Sequence, residues 1–145
     1  MKYYFFIACL AFSLILINCK STQSSKVDHK PQIITTPSGL QYIDIKVGDG
    51  DIPKIGQKVI VHYVSSLENG NVFDNSRIKN KPYKFTVGAN EVIKGWDEGI
   101  QSMRVGGIRK LIIPPELAWG NRSMGDEIPA NSTIIIEVEL IGIEK

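Results

Sequence analysis

Phe73, Asp74, Val92, Ile93 and Trp96 set four apolar side chains and one carboxylate in two short runs, V-F-D-N-S-R at 72–77 and E-V-I-K-G-W at 91–96. No general base, nucleophile or metal cluster accompanies them in the sequence. Such a set suits a site that holds an apolar group and orients it with few polar contacts. It points to conformational work on a bound peptide rather than to bond-breaking chemistry. The two histidines, His29 and His62, have no partners at metal-ligand spacing, so no metal is expected.

Those residues need elements to hold them. L-Q-Y-I-D-I-K at 40–46 alternates and reads as a strand, and G-D-G-D at 48–51 as a turn. K-V-I-V-H-Y-V-S at 58–65 is a second strand, with Val59, Val61 and Tyr63 on one face and His62 on the other, toward solvent. E-N-G-N at 68–71 is a hairpin turn, because Asn-Gly accepts positive φ at little cost. V-F-D-N-S follows as a strand interrupted by a bulge, and the basic loop R-I-K-N-K-P at 77–82 reads as a solvated face. Y-K-F-T-V-G at 83–88 is a further strand. Asn90 is the expected N-cap of a short helix over 91–102, where Val92, Ile93, Trp96, Ile100 and Met103 recur at helical spacing. I-R-K-L-I-I at 108–113 is a strand closed by Pro114-Pro115. After a loop rich in Gly, Pro and Asn comes T-I-I-I-E-V-E-L-I-G at 133–142. There Ile134, Ile136, Val138 and Leu140 face one way, and Glu137 and Glu139 face out. About five strands and one short helix make an α+β domain. One helix cannot serve several parallel crossovers, so the expected sheet is largely antiparallel and wraps the helix.

The chain has 145 residues, enough for one domain with a proper core. Its 17 basic and 15 acidic residues leave a net charge of +2, and no basic run exceeds Arg109-Lys110. That balance gives no electrostatic case for nucleic acid. Both cysteines, Cys9 and Cys19, precede the domain, which therefore rests on its own packing. Residues 3–17 are almost wholly apolar and follow Lys2. The run is shorter than the ~20 residues of a spanning helix and fits the core of a signal peptide. L-I-N-C at 16–19, with the polar stretch S-T-Q-S-S-K beyond it, resembles a bacterial lipoprotein signal. That resemblance implies a signal peptide over 1–18, diacylglycerol on Cys19, a flexible tether over 19–36 and a domain over 37–145. Several acyl chains on one residue anchor stably where one chain is marginal. Asn18 departs from the small residue usual before such a cysteine. An ordinary signal peptide or an uncleaved anchor is the other reading.

Residues 37–145 resemble the FKBP-type peptidyl-prolyl cis-trans isomerases in an ordered series of motifs. These are V-H-Y at 61–63, the 72–77 run, N-K-P-Y-K-F at 80–85, E-V-I-K-G-W at 91–96, P-P-E-L-A-W-G at 114–120 and I-I-E-V-E-L at 135–140. The resemblance implies a twisted antiparallel sheet wrapped round one short helix, with an apolar pocket between them. It implies an enzyme that accelerates rotation of X-Pro bonds without a cofactor. Carried over by position, the catalytic set would be Tyr63, Phe73, Asp74, Ile93, Trp96 and Trp119, with Tyr83, Val92, Ile128 and Ile136 holding the substrate. Trp96 would form the pocket floor, and the backbone N–H of Ile93 would donate to the ligand. The implied partners are proline-containing polypeptides and macrolides such as rapamycin.

Plainer readings stay open residue by residue. Trp96 and Ile93 at helical spacing also suit a packed helix face, Phe73 a core strand position, and Asp74 a turn cap. Trp119 stands where the family usually has a tyrosine whose hydroxyl donates to a ligand carbonyl. Met124 and Ile136 stand where better-studied members often carry His or another ring and Phe. The rival function is a peptide-binding or chaperone module of the same fold with weak or no isomerase activity. A structural lipoprotein without a pocket is a third. No helical dimerisation region precedes the domain, so a monomer is expected. Together the motifs and the leader imply an isomerase anchored by lipid in the bacterial cell envelope. It would face the periplasm or the exterior and assist the folding of exported proteins.

Overall fold

The computed structural model describes residues 32–144; the leader, Cys19 and most of the tether lie outside the described residues. The strands are β1 Ile34–Thr35, β2 Gln41–Lys46, β3 Lys58–Leu67, β4 Val72–Asn75, β5 Tyr83–Thr86, β6 Ile108–Ile113 and β7 Ile134–Ile143. One helix, α1 Lys94–Ile100, precedes β6, and a single 3-10 turn, Pro115–Leu117, follows it. The sheet runs in the order β1-β2-β6-β7-β3-β4, and β5 also pairs β3. Every pairing is antiparallel. The α+β class and the antiparallel sheet expected from the sequence are therefore what the chain forms. One strand was not expected. In β1, Ile34 pairs with Tyr42 and Thr35 with Gln41, so the sheet starts inside the segment read as tether.

Alternation along β3 and β7 builds the inner face. Val59, Val61, Tyr63 and Ser65 point inward from β3, and Ile134, Ile136, Val138 and Leu140 from β7. On the edge away from β7, β3 serves two partners in turn: Lys58 to Val61 pair with β5, and Val64 to Ser66 with β4. The β3–β4 register shifts between Ser65 and Ser66, which is the irregularity expected near V-F-D-N-S. The loop between β4 and β5 lies where β3 changes partner, beside the inner face.

The helix is shorter than the 91–102 span, and Asn90 does not cap it. Ile93 occupies the N-cap position with no side-chain bond. Asn90 instead takes a positive φ of 56°. The buried carboxylate of Asp97 reaches back from the first turn and accepts N–H bonds from Gly88 at 2.7 Å and Asn90 at 3.4 Å. Loop and helix are thus fastened from inside the helix. Two glycines bring α1 close to β6. A Cβ on Gly95 would sit 2.5 Å from Ile113 Cγ2, and one on Gly99 2.5 Å from Leu111 Cδ2. Their spacing of four puts both on the face that meets the sheet.

Inward from β6, beside Leu111 and Ile113, lies one charged side chain. Arg109 is 4% exposed and donates to Asp44, the Gly99 carbonyl and Ser102.

Candidate active site

β3, β4, β5, β7, the start of α1 and the loop after β6 enclose a cavity of about 230 Å³. Its aromatic end is built by β3, β5 and α1. Trp96 makes edge contacts to Tyr63 at 4.9 Å between centroids and to Phe85 at 5.6 Å, and Tyr83 lies tilted to it at 6.0 Å. Such ring pairs contribute about 0.5–1.5 kcal/mol each beyond their buried area, so the floor is stiff. Trp96 is 7% exposed, and its Nε1–H is enclosed with no partner among the described residues. Phe73 and Trp119 meet edge to face at 6.4 Å on another wall. Ile93 lines the cavity from the N-cap of α1. Its carbonyl accepts from Trp96 and Asp97, while its own N–H has no partner among the described residues.

The polar groups form one network. Tyr63 donates from its hydroxyl to Asp74 Oδ2 at 2.6 Å, and Lys79 Nζ donates to Asp74 Oδ1 at 2.6 Å. Burial works against the charged form of Asp74, but the bonds from Lys79 and Tyr63 outweigh it and hold the carboxyl below its ordinary value. Burial, then the bond to Asp74, pushes the Tyr63 hydroxyl well above the usual phenol range. At neutral pH Asp74 stays ionised and Tyr63 stays protonated. Neither is poised to exchange a proton, since a useful acid or base titrates near the working pH. The cavity can grip an apolar ring and hold a fixed local field around it.

An expected acid dependence follows. A carboxyl depressed in the folded state adds stability that is full above its ordinary value of 3.8 and is lost as pH falls through the lower folded value. Asp74→Asn should therefore flatten the acid limb of stability, read as urea midpoints between roughly pH 2 and 5. Identical limbs in the two proteins would contradict the network.

A profile of the FKBP-type peptidyl-prolyl cis-trans isomerase family matches residues 50–141. The chain belongs to the FKBP-type peptidyl-prolyl cis-trans isomerases. Peptidyl-prolyl cis-trans isomerase Fkbp12 of Drosophila melanogaster is 50% identical to it over 107 residues, 73% of this chain and 99% of that one. The crystal structure of AtFKBP13 superposes with a TM-score of 0.73 at 44% identity, covering 78% of this FKBP chain and 99% of the other. FkpA from Escherichia coli gives a TM-score of 0.72 at 39% identity, covering 77% and 51% respectively.

In this FKBP-type isomerase, Tyr63, Phe73, Asp74, Tyr83, Ile93, Trp96, Trp119 and Ile136 all line the cavity. Val92 and Ile128 do not. Val92 is half-buried against the core, and Ile128 lies in the core and bridges to Met124. Ser65 and Ile134 line the cavity without having been expected there. Period-two alternation from Tyr63 and Ile136 puts both on the inner face but does not say that the cavity reaches them. His62 is not a free surface group: its Nδ1 lies 2.9 Å from the Oγ of buried Ser76, which also accepts the Tyr63 N–H at 2.8 Å. The 77–82 loop is solvated but not idle, since its Lys79 holds Asp74.

Proposed function

We propose that the X-Pro bond is rotated in this cavity, with Trp96 as floor, Tyr63, Tyr83 and Ile136 as walls, and Phe73, Asp74 and Trp119 at the rim. The observation that carries the assignment is an aromatic cavity whose one carboxylate, Asp74, is committed to Tyr63 and Lys79. An X-Pro amide must cross a barrier of ~20 kcal/mol through a twisted state. Twisting moves charge off the carbonyl oxygen onto nitrogen, so an apolar enclosure favours the twisted form over the planar one. Each ~1.4 kcal/mol of that preference is tenfold in rate. The Ile93 N–H, free within the described residues, is the donor proposed to orient a flanking carbonyl.

Exchange in short X-Pro peptides, followed by NMR with and without a macrolide such as rapamycin, tests the assignment. Catalysed exchange that the macrolide suppresses is expected. Exchange at the uncatalysed rate in a folded sample overturns it. Trp119→Tyr should hold or raise activity, roughly one- to threefold, because a phenol can replace the indole as donor at the rim. Loss of activity in folded Trp119→Tyr would give the indole a role of its own.

We further propose that residues 1–18 are removed, that Cys19 carries diacylglycerol, and that the polar segment after it tethers the domain to the bacterial envelope. There it would assist folding of exported proteins. The support is sequence alone: an apolar run ending at L-I-N-C, then polar residues. Mass spectrometry of protein made in bacteria should find a mature chain beginning at acylated Cys19. A chain retaining earlier residues would refute this.

A further inference from the structure

Ser65 is an unassigned polar group in the cavity. It follows Tyr63 by two residues on β3, so both side chains face inward. Across the sheet it pairs with Asp74 on β4 and Ile136 on β7, both lining residues. The residue is 3% exposed and itself lines the cavity. The neighbouring polar groups are engaged elsewhere: the Tyr63 hydroxyl and Lys79 hold the two Asp74 oxygens. Among the described residues the Ser65 hydroxyl makes no hydrogen bond, yet it is not sealed off as the Trp96 N–H is. Its hydrogen-bonding capacity is therefore open to what enters the cavity.

Position decides what that is. Trp96 packs on Tyr63, Tyr83 and Phe85, the end where β3 pairs with β5. Ser65 stands roughly 6–7 Å further along β3, where the partner is β4. A proline ring seated on Trp96 leaves the Ser65 end for an adjoining residue. The residue before proline, joined through its carbonyl to the ring nitrogen, is the adjoining residue that shares the rotating bond. Resting on the assignment of X-Pro rotation to this cavity, we infer that Ser65 is a specificity-determining residue whose hydroxyl bonds the side chain preceding proline. Hydroxyl-bearing residues are then favoured there over apolar ones of the same shape. A site offering a buried hydrogen-bonding group discriminates against an isostere that leaves it unpaired.

Threonine and valine are near-isosteres that differ in the hydroxyl, so Thr-Pro and Val-Pro peptides isolate the effect. We compare kcat/KM for both peptides in the wild-type protein, Ser65→Ala and Ser65→Gly. The Thr/Val ratio should fall about three- to tenfold in both variants. Near-UV circular dichroism checks the fold, and two variants guard against a local packing defect in one. Trp96→Leu serves as the control, lowering both peptides together. An unchanged ratio in folded Ser65 variants, beside a Trp96 effect, overturns the inference and leaves the cavity assignment standing. No Trp96 effect on either peptide overturns both.

Discussion

Replacing Trp96 by leucine should lower kcat/KM for X-Pro exchange roughly ten- to hundredfold while the domain still folds. The estimate is about 1.5–3 kcal/mol of apolar contact with the ring, felt where the twisted amide is held. Each ~1.4 kcal/mol is tenfold in rate. The loss should be partial, because no bond-making group is removed; deleting a nucleophile or general base would cost far more. Leucine leaves a gap among Tyr63, Tyr83 and Phe85, which loosens the floor. Exchange rates divided by folded fraction, with denaturant midpoints alongside, separate the two effects. Wild-type kcat/KM in the variant would move the bound ring off Trp96. Complete loss in a folded variant would make the indole a chemical participant.

How much of this site was legible in the sequence depends on which physical signal each residue carries. Inward faces of β3 and β7 follow strict alternation, so Tyr63 and Ile136 were readable from neighbours alone. Ser65 and Ile134 obey the same rule but do not stand out as site residues, because alternation gives the face and not how far a cavity extends along it. The helix start was misread at Asn90 for a definite reason. Asparagine favours both the N-cap and the left-handed conformation, and sequence does not choose between them. The choice was made by Asp97, whose carboxylate takes the loop N–H groups from within the helix. Lys79 read as one charge on a solvated loop, since its pairing with Asp74 depends on how the loop folds back. The glycines of K-G-W-D-E-G-I gave no hint of close approach until Leu111 and Ile113 were seen beneath them.

Arg109 was the least legible residue, and its loss should be the most damaging to stability. Alternation in I-R-K-L-I-I puts it inward with Leu111 and Ile113, where an unpaired charge would be untenable. Its partner lies 65 residues away: Nε and Nη2 meet the two Asp44 oxygens at 2.7 and 3.0 Å. Nη1 donates to Ser102 Oγ at 2.7 Å and to the Gly99 carbonyl at 2.8 Å. That carbonyl lies in the last turn of α1, where the helix itself offers no donor. The guanidinium also stacks 3.9 Å over the Tyr42 ring. One side chain therefore joins β2, β6 and the end of the helix that carries Trp96. Arg109→Ala should cost about 3 kcal/mol, the low end for breaking a buried pair, because Asp44 keeps 29% of its side chain exposed and can rehydrate. Arg109→Lys should recover only part, since an ammonium lacks the planar fork that meets both oxygens at once. Urea denaturation of the three proteins measures this, with kcat/KM per folded molecule falling less than in Trp96→Leu. An Arg109→Ala midpoint near the wild-type value would mean that water replaces the guanidinium at little cost. The helix would then be held by the Gly95 and Gly99 contacts, the Asp97 bonds and the rings packed on Trp96.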